Sequence, residues 1–289
     1  MLEAFTHESS EGRFFCLAFE VLGESLYDHL KRNRFQGLWV QDIQSVAKQC
    51  LEALAFLHGE LGLTHTDLKL ENVLFCAAEP ATPSSFPRRG VRKEAPRYGS
   101  LTAAYVRPRS TKVKLIDFGN ATYELEHHSS TINTRQYRAP EVILALGWNE
   151  RSDLWSMGCI LMELYTGELL FRTHESLEHL ALMERTIEPF PASLLERADV
   201  VRRDQLLTQD AGGGGGGPPR WRLRWPAGGA ASPRSERRVA SQWPLSRLVL
   251  QQHRSLAEFA SSLLILEAAR RPSASAALAH PFLFERFTD

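Results

Sequence analysis

The sequence predicts an α+β chain folded as one mostly helical domain with a few short strands. Two long segments carry apolar residues at helical spacing, and several apolar runs are too short to be helices. The 289 residues, 43% hydrophobic and 24% charged, have the composition of an ordinary globular protein with enough chain to bury a real core. Phe14 to Leu22 (FFCLAFEVL) reads as a buried strand that ends in the turn-prone Gly23-Glu24-Ser25, after which a helix should follow. From Gln41 to His58 the residues Ile43, Val46, Ala47, Cys50, Leu51, Leu54, Ala55 and Leu57 recur at spacings of three and four, which predicts a helix with one buried face. Leu61-Gly62-Leu63, Asn72-Val73-Leu74-Phe75 and Val113-Lys114-Leu115-Ile116 are short strand-like pieces around polar loops. Their arrangement brings two aspartates, Asp67 and Asp117, close together. Ser152 to Tyr165 is apolar on nearly every side, as suits a helix through the middle of a domain. Further helices are predicted at Ser176–Thr186, around Leu245–Glu267 and at Ser273–Leu278.

Two segments break the pattern. Glu79 to Thr111 is rich in Pro, Ser, Arg and Gly, and Asp210 to Pro233 holds a six-glycine run followed by Pro-Pro. Such compositions bury too little apolar area to offset their ordering entropy, so both read as surface insertions, the second largely disordered.

Charge and cysteine usage narrow the function classes. The 34 basic and 34 acidic side chains cancel, so no global field drives the chain onto nucleic acid or membrane. Cys16, Cys50, Cys76 and Cys159 form no C-x-x-C pair, which argues against a disulfide framework or structural zinc and for a reducing compartment. The N-terminus lacks the basic and apolar regions of a signal peptide, and no apolar run approaches the ~18 residues of a membrane span. The expected location is cytosolic or nuclear.

The chemistry concentrates in His65-Thr66-Asp67-Leu68-Lys69-Leu70-Glu71-Asn72, followed by Asp117-Phe118-Gly119 and then Ala139-Pro140-Glu141. An isolated Asp67 or Asp117 reads equally well as a loop cap, because aspartate is common in turns. Together and in this order the three motifs resemble the catalytic core of a protein kinase: the loop H-x-D-x-K-x-x-N, the metal-binding D-F-G and the closing A-P-E. Phosphoryl transfer needs an oriented nucleophile and neutralised phosphate charge, which explains the residue types. The resemblance implies that Asp67 is the catalytic base, that Lys69 sits near the transferred phosphate and that Thr134 hydrogen-bonds back to the aspartate. It further implies that Asn72 and Asp117 hold magnesium, that the backbone of Glu20 and Leu22 binds adenine, and that ATP and Mg2+ are the cofactors. His65 is expected to be a packed histidine supporting the loop, and Glu141 to form a buried ion pair with Arg271.

Glu178-His179-Leu180-Ala181-Leu182-Met183-Glu184-Arg185 differs at one position from E-H-L-A-M-M-E-R, the signature of the LAMMER kinases, the Clk/Doa-type branch of the CMGC group. Glu126-His127-His128-Ser129, Tyr137-Arg138-Ala139-Pro140-Glu141-Val142-Ile143-Leu144 and Ala279-His280-Pro281-Phe282 look like the same family. Members are dual-specificity kinases acting on Arg-Ser-rich splicing factors, so the resemblance implies such proteins as partners and the nucleus, with the cytoplasm second, as location. Glu71 lies where related kinases receive a substrate arginine. Thr66 stands where kinases switched by phosphorylation usually carry an arginine, and a threonine cannot make that bidentate contact. The activation segment is therefore expected to assemble without a phosphate clamp. Leu70 departs from the family proline and should loosen the loop only slightly.

A G-x-G-x-x-G loop, a strand lysine and a partner glutamate are not found in the sequence, and the glycines at 212–217 lie too far downstream to substitute. The expectation is an N-terminally truncated kinase-like fold: residues 1–22 as a remnant of N-lobe strands and hinge, and 23–289 as the helical C-terminal lobe with insertions at about 79–111 and 198–244. A catalytically weak or inactive C-lobe fragment that docks substrates is the second reading. Intact Asp67, Lys69, Asn72 and Asp117 favour the enzyme. Basic clusters at Arg88–Lys93 and Arg220–Arg238 admit a nucleic-acid contact, but such runs are more often solvated loop charge, and neither nucleic acid nor membrane is an expected partner.

Overall fold

The computed structural model describes residues 1–77, 82–86, 105–210, 220–226 and 231–287. β1 (Glu3–Ser9) and β2 (Gly12–Ala18) pair antiparallel from Glu3↔Ala18 to Ser9↔Gly12 across a two-residue turn. This corrects the single buried strand expected over Phe14–Leu22: the strand ends at Ala18, has a partner the sequence did not announce, and leaves Phe15 75% exposed. Aromatic composition marks a segment that can be buried, but burial needs an opposing layer, and a two-stranded ribbon has none of its own.

The body follows. α1 (Leu26–Arg32) starts at Ser25, whose Oγ accepts the Asp28 N–H at 3.0 Å. α2 (Val40–Gly59) buries Ile43, Val46, Ala47, Cys50, Leu51 and Leu54, the face its periodicity foretold. β3 (Leu63–Thr64), a 3-10 turn at Leu70–Asn72 and β4 (Val73–Phe75) carry the polar loop. Beyond the first insertion's short hairpin, β5 (Thr82–Ser84) and β6 (Tyr105–Arg107), comes β7 (Val113–Leu115), which pairs with β4, and then β8 (Thr122–Tyr123), which pairs with β3. α3 (Pro140–Ile143) leads into α4 (Arg151–Thr166), which is buried from Ser152 to Tyr165 and forms the central post of the core. α4 stops at Gly167 with φ +74°, where a Cβ would come within 1.8 Å of the Phe35 carbonyl oxygen, so only glycine fits.

α5 (Ser176–Thr186) coincides with its predicted span. α6 (Ala192–Glu196), α7 (Val200–Leu206), the hairpin β9 (Leu207–Asp210) and β10 (Arg220–Leu223), and α8 (Pro233–Ser241) follow it, with β10 and α8 packing against it, and α9 (Arg254–Leu263) and α10 (Ala274–Ala277) close the chain. The helix expected over Leu245–Glu267 is shorter than predicted: residues 245–253 form two 3-10 turns. The reason is tertiary, because the Leu250 N–H donates to the Tyr165 hydroxyl at 3.0 Å instead of to a helical carbonyl.

Both insertions hold ordered structure where they are described. Tyr105 is buried and donates to the Gly37 carbonyl at 3.1 Å, Val106 exchanges hydrogen bonds with Asn33, and Arg107 forms a two-armed ion pair with Asp42 at 2.8 Å. Leu206, Leu207, Leu223 and Val239 of the second insertion join the core. Average composition hid these few anchoring side chains. The six-glycine run and the Arg88–Lys93 cluster lie outside the described residues. Glu178 of α5, buried at 2% exposure, accepts from Thr173 Oγ1 and from Arg238 Nη1 of α8, both at 2.8 Å. Among the described residues no helix is long and apolar enough to cross a membrane.

Candidate active site

Asp153, in the first turn of the buried α4, builds the site from below. Its carboxylate is fully buried and accepts from His65 N at 2.8 Å, Thr66 N at 3.0 Å and His58 Nε2 at 2.9 Å. These bonds hold the loop in a course that gives Thr66 a φ of +68°, a conformation a β-branched residue adopts only under constraint. Neither His58 nor Asp153 was assigned a role from sequence. The available signal was a carboxylate inside an otherwise apolar helix, which must be satisfied by something. His65 is the packed support expected: Nε2 lies 3.0 Å from the Ile116 carbonyl and Nδ1 accepts from Asp67 N at 3.3 Å, which assigns the proton to Nε2.

Asp67 faces outward from this platform. Its Oδ1 accepts from the backbone N–H and hydroxyl of Thr134 at 3.0 and 2.7 Å, and its Oδ2 accepts from Lys69 Nζ at 2.6 Å. Burial works to raise its pKa, but the Lys69 ammonium and the Thr134 donors outweigh that and hold the carboxyl below its usual range. Asn72 ties the two aspartates together: Nδ2 donates to the Asp67 carbonyl at 2.9 Å and reaches Asp117 Oδ2 at 3.4 Å. Asp117 is itself exposed with φ +67°, anchored through its neighbour Ile116, whose N–H donates to the Asn72 carbonyl at 3.0 Å.

The remaining predicted positions sort as follows. Glu20 pairs with Lys114, and the backbone groups of Glu20 and Leu22 make no hydrogen bond among the described residues, so both remain available along one edge. Glu71 is exposed beside Lys69. Leu70 is fully buried at the 3-10 turn, which anchors the loop by packing where a proline would have done so by rigidity. Thr66 Oγ1 donates to the Asn120 carbonyl at 2.7 Å. Arg271 and Glu141 form the expected buried pair, two parallel bonds of 2.7 Å, and Arg271 also donates to the Ile265 and Arg151 carbonyls. Tyr137 donates its hydroxyl to Glu163 Oε2 at 2.6 Å inside the core. Burial pushes Glu163 up to about 7; the Tyr137 bond opposes this and the Glu71 charge adds to it.

The oxygen donors of Asn72 and Asp117 suit a hard cation that takes most of its ligands from water and substrate phosphates, so these residues fit the magnesium the motif implies. Asn72 spends its amide nitrogen on the protein, which leaves its amide oxygen for such a role.

Comparison with known proteins fits this geometry. A sequence profile described as the protein kinase domain matches residues 2–283. The serine/threonine-protein kinase AFC2 of Arabidopsis thaliana is 37% identical over 94% of this chain and 60% of its own length. The dual specificity protein kinase CLK4 of Mus musculus is also 37% identical, over 98% of this chain and 52% of its own. The crystal structure of the PF14_0431 kinase domain superposes with a TM-score of 0.81 at 40% identity, covering 97% of this chain and 76% of that one. The chain spans about half the length of the curated relatives it matches. These findings overturn the expectation that the N-lobe is largely absent and give no support to truncation: the match begins at residue 2, so the β1–β2 hairpin belongs to the domain. That expectation rested on missing motifs, and motifs report phosphate-binding chemistry, not the presence of strands. With its catalytic-loop geometry, its domain-wide match and its likeness to CLK and AFC kinases, this chain belongs to the protein kinase family, on the LAMMER branch of the CMGC group.

Proposed function

We propose that this domain transfers the terminal phosphoryl group of ATP to serine and threonine hydroxyls, and to tyrosine, in Arg-Ser-rich splicing proteins of the nucleus. The observation that carries the proposal is the Asp67 carboxylate, kept ionised by Lys69 and Thr134 and joined through Asn72 to Asp117. Asp67 orients the incoming hydroxyl on the oxygen side left free by its partners and takes up its proton as the phosphoryl group departs. Lys69 places a positive charge beside the same position, where negative charge spreads over the phosphate oxygens. Magnesium, when bound by Asn72 and Asp117, supplies further neutralisation of the phosphates. Glu71 offers an exposed carboxylate to a substrate arginine, and the unpaired backbone of Glu20 and Leu22 offers a donor and acceptors to adenine.

The test is phosphate transfer from magnesium-ATP to an Arg-Ser repeat peptide, with Asp67→Asn and Asp117→Ala as controls. Transfer that disappears in both variants is expected. Equal transfer by the variants would overturn the assignment of the site. Peptide binding without any transfer would make the domain a docking module, and equal rates on a peptide with alanine for arginine would sink the substrate class alone.

A further inference from the structure

Between β8 and the 3-10 turn at Arg135–Tyr137, the backbone is held mainly at its two ends, the Ile132 and Asn133 carbonyls at the second accepting from Arg138 Nε and Nη2, both at 2.8 Å, and the middle runs over the surface with little support. The Glu124 N–H is held by the Gly62 carbonyl at 2.9 Å, and the Asn133 N–H by the Thr66 carbonyl at 2.8 Å. From Leu125 to Thr131, among the described residues, the backbone bonds beyond its own stretch at two points: the Glu126 N–H donates back to the Tyr123 carbonyl at 3.1 Å, and Trp148 Nε1 donates to the Ser129 carbonyl at 2.8 Å. Next to the second the His128 imidazole lies flat on the Trp148 indole, with centroids 4.1 Å apart and planes at 12°. His128 Nε2 is buried there without a hydrogen-bond partner, so the ring is held by its face and not by its nitrogens. Trp148 itself packs against the core in the connection between α3 and α4, so it is a fixed point.

We propose that His128 is a positioning residue: by stacking on Trp148 it fixes the outer half of the segment 125–132, and so sets the course of Asn133 and Thr134, which bond Thr66 and Asp67. The stack does mechanically what Thr66, occupied with the Asn120 carbonyl, does not do electrostatically. Substrate must lie along this segment to present its hydroxyl to Asp67, so slack here weakens substrate binding more than the chemical step. The proposal rests on the reading of the domain as a kinase for its kinetic consequence, and on geometry alone for its structural one.

Both are tested in His128→Ala and His128→Phe. Cleavage by a glutamate-specific protease at Glu124 and Glu126, compared with cleavage elsewhere, reads the slack. His128→Ala is expected to be cut about fivefold faster there and to show an Arg-Ser peptide KM raised about fivefold, the order of one lost aromatic stack, with kcat lowered by less than that and the KM for ATP unchanged. His128→Phe keeps a flat ring without the stranded nitrogen and should match the unsubstituted chain in both. Identical cleavage and KM in His128→Ala would overturn the proposal, as would a His128→Phe as impaired as His128→Ala. Absence of phosphotransfer in the unsubstituted chain would refute the kinase reading, while the cleavage comparison still decides the anchor.

Discussion

Replacing Glu163 by glutamine should change how stability depends on pH more than it changes structure. In the folded chain burial pushes Glu163 up to about 7 from an ordinary 4.5, and Tyr137 donates to it from 2.6 Å. Between pH 4.5 and 7 the folded state therefore keeps a proton that the unfolded chain has released. Stability falls as pH rises through that window, by about 1.4 kcal/mol per pH unit and roughly 3 kcal/mol in all. Glutamine keeps a carbonyl for the Tyr137 hydroxyl and has nothing to ionise. Glu163→Gln should thus unfold in urea at nearly the same free energy as the parent at pH 4.5 to 5, and be more stable by about 3 kcal/mol at pH 8. His179, which burial pushes down to about 3, makes both proteins lose stability as pH falls below about 6.5, and it cancels in the difference. Parallel stability curves for the two proteins from pH 5 to 8 would refute the reasoning.

Four further outcomes are expected. Asp67→Asn should leave the urea midpoint almost unmoved and lower single-turnover phosphotransfer by about 10²–10⁴-fold, the span of general acid–base catalysis. Asp153→Ala strands His65 N, Thr66 N and His58 in the interior, so it should destabilise by about 3 kcal/mol or more in equilibrium unfolding. Glu141→Gln leaves Arg271 buried with no carboxylate, and a loss of about 3–5 kcal/mol by the same measurement is expected. Gly167→Ala must displace the Phe35 carbonyl, and its melting temperature should drop where alanine at the exposed Glu168 leaves it unchanged.

The elements that could be read from sequence are those whose signal is local. α2 announces itself by its stripe, α4 by being apolar all round, and α5 by its span, and each falls within about two residues of its predicted ends. The catalytic loop was legible because its residue types and order are dictated by chemistry. What was not legible depends on partners far along the chain. The hold of Asp153 on residues 87 and 88 positions earlier has no spacing rule, nor has the Leu250 bond to Tyr165 that broke the expected helix. β1 was missed because Glu3–Ser9 is mostly polar, with Phe5 its one large apolar residue, and exposed throughout, and it becomes a strand only by pairing with β2. The first insertion was misjudged because Tyr105 and Arg107 are two residues in a stretch whose average says loop.

The Glu178–Arg238 contact has a consequence for the order in which the chain can be completed. The two residues are 60 positions apart, yet the carboxylate is buried at 2% exposure with Arg238 as its counter-charge. During synthesis at about 5–20 residues per second, α5 waits roughly 3–12 s for that arginine to be made. Until then burying α5 means burying a lone negative charge, so its docking is delayed until α8 has been added. The glycine-rich segment between them is thereby part of the folding schedule, and shortening it would bring the arginine to the helix sooner.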